Sequence, residues 1–223
     1  MPQRAPHVVF VITDQQRYDS LGCTGNPHAV TPNIDRLASE GVVFDRFVTT
    51  SAICSPSRAG MFTGLQCSMH GLWTNGVPLP RADGVPLTQG SINAFPGKWV
   101  ASHIPTFADC FRDAGYRTVS VGKLHFTPTS AHEAHGCKES GAYWRAHPEM
   151  ADWHGPYYGF DEVWMTLGHG ERIGGHYGAW LQQNHPAVLD ALDSSAQSRT
   201  LEFPECRMLY PSEIPAELHN SSW

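Results

Sequence analysis

Residues 7–13 read HVVFVIT, a continuous apolar, β-branched run that stops abruptly at Asp14-Gln15. A run of this kind predicts a strand buried on both faces, which is the strand of a parallel sheet. The chain then alternates. TPNIDRLASEG (31–41) predicts a helix, with Thr31 as N-cap, Pro32 at the first helical position, Ile34 and Leu37 on one face and Gly41 at the stop. VVFDRFVTT (42–50) predicts a second strand. SAICSPSRAGMFTG (51–64) predicts a loop turning into a short helix, with Pro56 near its start and Ser55 or Ser57 as cap. TFADCFRDAG (106–115) predicts another helix, and YRTVSVGK (116–123) a third strand. Strand, helix, strand, helix, strand implies an α/β fold with a mostly parallel sheet. Polar clusters sit at the three strand ends: Asp14-Gln15, Cys54 to Arg58, and Lys123 to His125. Ligands of open α/β sheets bind at that edge, so the pattern predicts that the three clusters converge.

After about residue 127 the alternation fades. Eight of the 13 histidines lie between His125 and His185, among glycines and aromatics. This stretch predicts an excursion over the sheet edge that walls a pocket, with one strand at DEVWMT and a short helix at HPAVLDAL. IPAELHNSSW reads as a helix just beginning. The charged fraction is 16% and the formal net charge −6. With no basic run, nucleic acid and anionic membranes are poor partners, while a small anion can still find a local cationic pocket. The N-terminal apolar run is too short for a signal or membrane segment, and the six cysteines form no C-x-x-C pair. Both point to a cytoplasmic protein with reduced thiols.

Cys54 precedes a helix start with Arg58 one turn on, a setting that favours a thiolate or a bound anion. A buried structural cysteine beside a surface arginine is the plainer alternative. The segment C-S-P-S-R-A-G-M-F-T-G, 54–64, resembles the signature of type I sulfatases of the alkaline-phosphatase-like superfamily. VVFVITDQQRYDSLGCTGN, TPNIDRLASEGVVFDRFVTTSAICSPSR, HGLWTNG and YRTVSVGKLHF resemble further blocks of that family, in the same order.

The resemblance implies a three-layer α/β/α fold and hydrolysis of a small anionic sulfate ester. It implies that a separate maturation enzyme oxidises Cys54 to formylglycine, whose hydrate carries the attacking hydroxyl. It further implies a divalent cation, usually calcium with manganese or magnesium as alternatives, held by Asp14 and residue 54. Arg58 would hold the hydrate, Lys123 a sulfate oxygen, and His125 the hydrate or its later collapse. A hard cation prefers carboxylate oxygen, and metal, Arg and Lys together stabilise charge on a transferring group.

Gln15 departs from the second acidic residue of many members and, with Asn75, resembles the branch containing choline-sulfatase-like and phosphonate-monoester-hydrolase-like enzymes. These two residues are candidate substrate contacts, and Asn75 reads equally as a turn residue in Asn-Gly. The later metal-ligand blocks of the family are absent. The expectation is therefore the N-terminal portion of a sulfatase-type catalytic domain, apparently truncated, with 1–126 as sheet core and 127–223 as the excursion. A phosphonate monoester or phosphodiester hydrolase, or an inactive fragment needing the missing half, are the alternatives. HEAHG (132–136) lacks the spacing of a zinc helix. His169 and His176 are pocket or structural histidines. Trp144, Trp153, Trp164 and Trp180 read as a cage for a quaternary ammonium or as core.

Overall fold

The computed structural model describes residues 5–81, 103–169 and 172–190, with Pro215 and Leu218. The chain divides into two units, Met1–Thr49 and Thr50–Trp223.

In the first unit a helix, α1 (Pro32–Glu40), starts after Thr31 and stops at Gly41 as the sequence predicts. The Thr31 hydroxyl does not cap it. It accepts from the Gly22 N–H at 2.9 Å and donates to Asp35 at 3.0 Å, and Asp35 also takes the Cys23 N–H at 2.7 Å. Two 3₁₀ turns, Tyr18–Ser20 and Gly22–Thr24, precede the helix. The strands predicted at 7–13 and 42–50 do not form. Val9 is 83% exposed and Phe47 81%. A buried parallel strand takes hydrogen-bond partners from both sides and cover from helices above and below. The described residues of this unit provide one helix and two turns.

The second unit holds the core. Its helices are α2 (Cys54–Thr63), α3 (Cys67–His70), α4 (Phe107–Asp113), α5 (Gly141–Ala146) and α6 (Gly175–Asn184), and its strands are β1 (Val119–Gly122), β2 (Glu162–His169) and β3 (Arg172–Gly174). The sheet order is β1-β2-β3. β1 runs parallel to β2, pairing Val119 with Glu162 and Val121 with Trp164, and β3 returns antiparallel along β2. The α/β class is borne out, with one parallel pair and an antiparallel edge among the described residues. The stretch after residue 127 is more regular than expected, because it supplies β2, β3 and α6. Residues 186–190 are helical, as HPAVLDAL suggested. The predicted helix start at IPAELHNSSW falls outside the described residues except for Pro215 and Leu218.

Aromatic contacts join the elements. Phe62 of α2 stacks on Phe107 of α4 at 4.6 Å and meets Phe126 edge-on at 5.0 Å; Phe126 in turn packs on Tyr158 at 4.9 Å. These contacts fix α2 against the segment that follows β1. A buried ion pair locks the same region. Arg81 makes two hydrogen bonds to Asp109, at 2.6 and 2.8 Å. Asp109 also closes a capping box with Thr106 at the start of α4. Burial opposes ionisation of Asp109, but the bonds from Arg81 and Thr106 outweigh it and hold its carboxyl at about 2.

Candidate functional site

α2 begins two residues earlier than Pro56 at the first helical position would place it. Cys54 is its first residue, the extended Ile53 is the N-cap, and neither Ser55 nor Ser57 caps it. The capping role falls to a distant side chain. Asn75, in the turn closed by Val77 N–H on the Thr74 carbonyl at 3.2 Å, accepts from the Ser55 N–H at 3.2 Å. The Asn75 amide also sits on the Cys54 sulfur, with Nδ2 at 3.2 Å and Oδ1 at 3.4 Å. Asn75 is thus both a turn residue and a neighbour of Cys54, and it satisfies one of the N–H groups a helix start leaves open.

Arg58 lies one turn along α2 and is buried. Its Nη1 donates to the Lys123 carbonyl at 2.6 Å, tying the helix to the residue just past the end of β1. His125, two residues further, is buried with φ 61°, in the left-handed region. α2 therefore contacts Asn75 through Cys54 and the Lys123 carbonyl through Arg58, and His125 lies two residues beyond Lys123. A helix N-terminus with a thiol at its first residue and a buried guanidinium one turn on is a place where negative charge is stabilised.

Asp14 and Gln15 lie in the first unit, both exposed, with Gln15 at φ 55°. The strand meant to carry them is not formed, while the Cys54–Arg58 and Lys123–His125 clusters lie in the second unit. Among the described residues no group of three His, Cys, Asp or Glu side chains gathers as a metal site. A calcium ion takes about six to eight oxygen ligands. Of the predicted ligands, the described residues supply Asp14 and Cys54, fewer than that number.

Sequence reasoning missed Glu139. Its buried carboxylate accepts from the His125 N–H, from Phe126 N–H at 2.8 Å, from Thr127 N–H at 3.1 Å and from the Tyr157 hydroxyl at 3.1 Å. Burial pushes the carboxyl up, and those hydrogen bonds pull it back. A single glutamate in GCKESG looks like any solvated loop charge, so no local signal marks it.

The other candidates resolve as structure. His132 uses Nδ1 to accept the Ala134 N–H at the start of a 3₁₀ turn, Glu133–His135. His176 is buried, accepts the Met165 N–H at 2.8 Å and contacts the Trp153 carbonyl at 2.9 Å through Nε2. Burial holds its imidazole down at about 4, so the neutral ring is the working form. Trp144 and Trp164 both meet the His176 ring and Trp164 also lies over His154, while Trp153 is edge-on to Tyr157 and Trp180 lies along Tyr177. They pack as core.

Residues 6–184 match the family model described as Sulfatase. The uncharacterized sulfatase YidJ of Escherichia coli is 36% identical over 143 residues, covering 64% of this chain and 24% of that protein. The ulvan-active sulfatase of Formosa agariphila is 30% identical over 159 residues, covering 70% of this chain and 27% of that protein. The phosphonate monoester hydrolase of Agrobacterium radiobacter superposes with a TM-score of 0.49 at 20% identity, over 94% of this chain and 34% of that one. The chain spans about a quarter of the length of the curated relatives it matches. On the family match, which extends over most of its residues, the chain belongs to the Sulfatase family.

Proposed function

We propose that the chain contributes the N-terminal catalytic portion of a sulfuric ester hydrolase, in which Cys54 is the residue converted to formylglycine. The observation that supports this most is the pair of contacts at the start of α2, Cys54 with Asn75 and Arg58 with the Lys123 carbonyl. Once converted by the maturation enzyme, residue 54 supplies a hydrated aldehyde, whose hydroxyl is the nucleophile.

The chain's own residues do the rest. The N-terminus of α2 favours negative charge at residue 54. The Asn75 amide orients residue 54 through contacts it already makes with the sulfur. Arg58, buried and anchored to the Lys123 carbonyl, sets a fixed positive charge one turn away. Lys123 holds a non-reacting oxygen of the anionic ester, and His125 serves residue 54 between turnovers. The divalent cation implied by the family is a proposal for the longer assembly, with Asp14 as its one contributed carboxylate and Gln15 as a substrate contact. Free thiols at the five described cysteines favour a reducing, cytoplasmic setting.

A second reading keeps the scaffold and changes the substrate to a phosphonate monoester or phosphodiester. Gln15 in place of an acid, and Asn75 against Cys54, favour it. Turnover of an aryl sulfate and an aryl phosphonate monoester, measured side by side on the matured protein, separates the two. Faster sulfate hydrolysis supports the first reading, and faster phosphonate hydrolysis replaces it with the second. Absence of both leaves the chain as a non-catalytic piece.

A further inference from the structure

We infer that Glu139 is a positioning residue for the segment that carries Lys123 and His125, an inference that rests on reading those two as site residues. A non-glycine residue at φ 61° is strained and persists where its surroundings over-determine it. A left-handed residue within a turn also swings successive N–H groups toward one point, forming a concave nest for an anion. Here the N–H groups of His125, Phe126 and Thr127 all converge on the Glu139 carboxylate. The nest is filled from within the chain.

The described partners of that carboxylate are all neutral: three amides and the Tyr157 hydroxyl. A buried charge compensated only by dipoles is a costly way to fill volume, and an apolar side chain would fill it at lower cost. What the carboxylate adds is the fixing of three consecutive amides. The other side of the segment is fixed as well, by Arg58 on the Lys123 carbonyl at 2.6 Å and by the Leu79 N–H on the Phe126 carbonyl at 2.7 Å. Glu139 is itself held. Ser140 caps α5 through the Ala142 and Tyr143 N–H groups, and Trp144 Nε1 donates to the Lys138 carbonyl at 2.7 Å. The loop between Thr127 and Ser140 thus delivers a rigid carboxylate behind the Lys123–His125 segment.

Residue-resolved amide exchange on the full chain tests this without any substrate. In the wild type, the amides of 125–127 exchange as slowly as those of α4. In Glu139→Gln they exchange about 10- to 100-fold faster, the loss of a hydrogen bond to a charged acceptor, while α4 is unchanged. Glu139→Asp, which keeps the charge but retracts it, gives an intermediate effect; Tyr157→Phe gives none at 125–127. Fast exchange at 125–127 in the wild type overturns the inference even if the Gln variant does not fold. Equal acceleration in α4, or no acceleration at 125–127, overturns it too. In matured protein that hydrolyses an aryl sulfate, Glu139→Asp lowers kcat about tenfold or more with KM unchanged. An unchanged kcat contradicts the positioning role. If the wild type shows no turnover, the chain alone is a non-catalytic piece, and the exchange data alone decide the inference.

Discussion

The two units of this chain show two ways of using apolar residues. In Met1–Thr49, the runs around Val9 and Phe47 are exposed, and the local structure is pinned by polar contacts: Thr31 and Asp35 on the Gly22–Thr24 turn, and Asn26 on the Asp19 carbonyl at 2.6 Å. In Thr50–Trp223, Phe62, Phe107, Phe126 and Tyr158 form a continuous aromatic core around a buried ion pair. Apolar residues are thus buried where elements pack together, whereas strand-like runs carry exposed residues in both units, Val121 of β1 at 67% included. Composition states what a segment can do in a sheet, whereas neighbours decide whether it does. The candidate site follows the same division. Cys54, Arg58, Asn75, Lys123 and His125 belong to the unit with a core, and Asp14 and Gln15 belong to the other.

The contrast can be broken or sharpened by substitution. The largest effect is expected from Cys54→Ala, which removes the nucleophile precursor. Hydrolysis of an aryl sulfate by the matured protein falls below detection, while the melting temperature stays within about 2 °C because one half-buried sulfur is lost. A next group concerns stability. Phe126→Ala opens a cavity at the centre of the aromatic core and costs about 3–5 kcal/mol in denaturant titration. Phe47→Ala in the first unit produces no measurable loss. Equal losses at the two positions would mean that the first unit has a core of its own.

Asp109→Ala strands the buried Arg81 guanidinium and costs about 3–5 kcal/mol. Arg17→Ala, which removes an exposed pair with Asp19, leaves the unfolding midpoint unchanged. The pH dependence is smaller and two-staged. The unfolded chain protonates the His176 imidazole below about 6.5, but the folded chain resists until about 4. Stability is therefore full above that window and declines as pH falls through it, by on the order of 3 kcal/mol. Asp109 acts lower. Its folded carboxyl titrates near 2 against an ordinary 3.8, so its contribution is present above the ordinary value and is lost as pH falls between the two. Equilibrium unfolding from pH 7 to pH 2, with His176→Gln as control, reads both stages; a flat profile between 7 and 4 would remove His176 from the account.

The legible parts of the fold were the local ones. α1 and α4 lie where the sequence predicts them and stop at or just before Gly41 and Gly115, although Thr31 does not cap α1. β1 and the strand in DEVWMT follow from β-branched runs whose partners are present. The predicted strands at 7–13 and 42–50 carry the same signal, but strand formation requires a neighbour that composition does not reveal. The start of α2 was misjudged because Pro56 is a familiar first-turn residue, while the cap comes from Asn75, about twenty residues away. The site's cationic residues were legible through the family signature and their place after β1. Glu139 and the Arg81–Asp109 pair were not, because each gains its meaning from a long-range partner that no periodicity encodes.

The most direct test of the central claim is the mass of the peptide containing residue 54, from protein produced together with a formylglycine-generating maturation enzyme. The account predicts the aldehyde mass at Cys54, with the peptide trapped by a carbonyl-reactive hydrazide, and no such product in Arg58→Ala or Cys54→Ala. An unmodified thiol at Cys54 under those conditions would contradict the sulfatase reading of this chain.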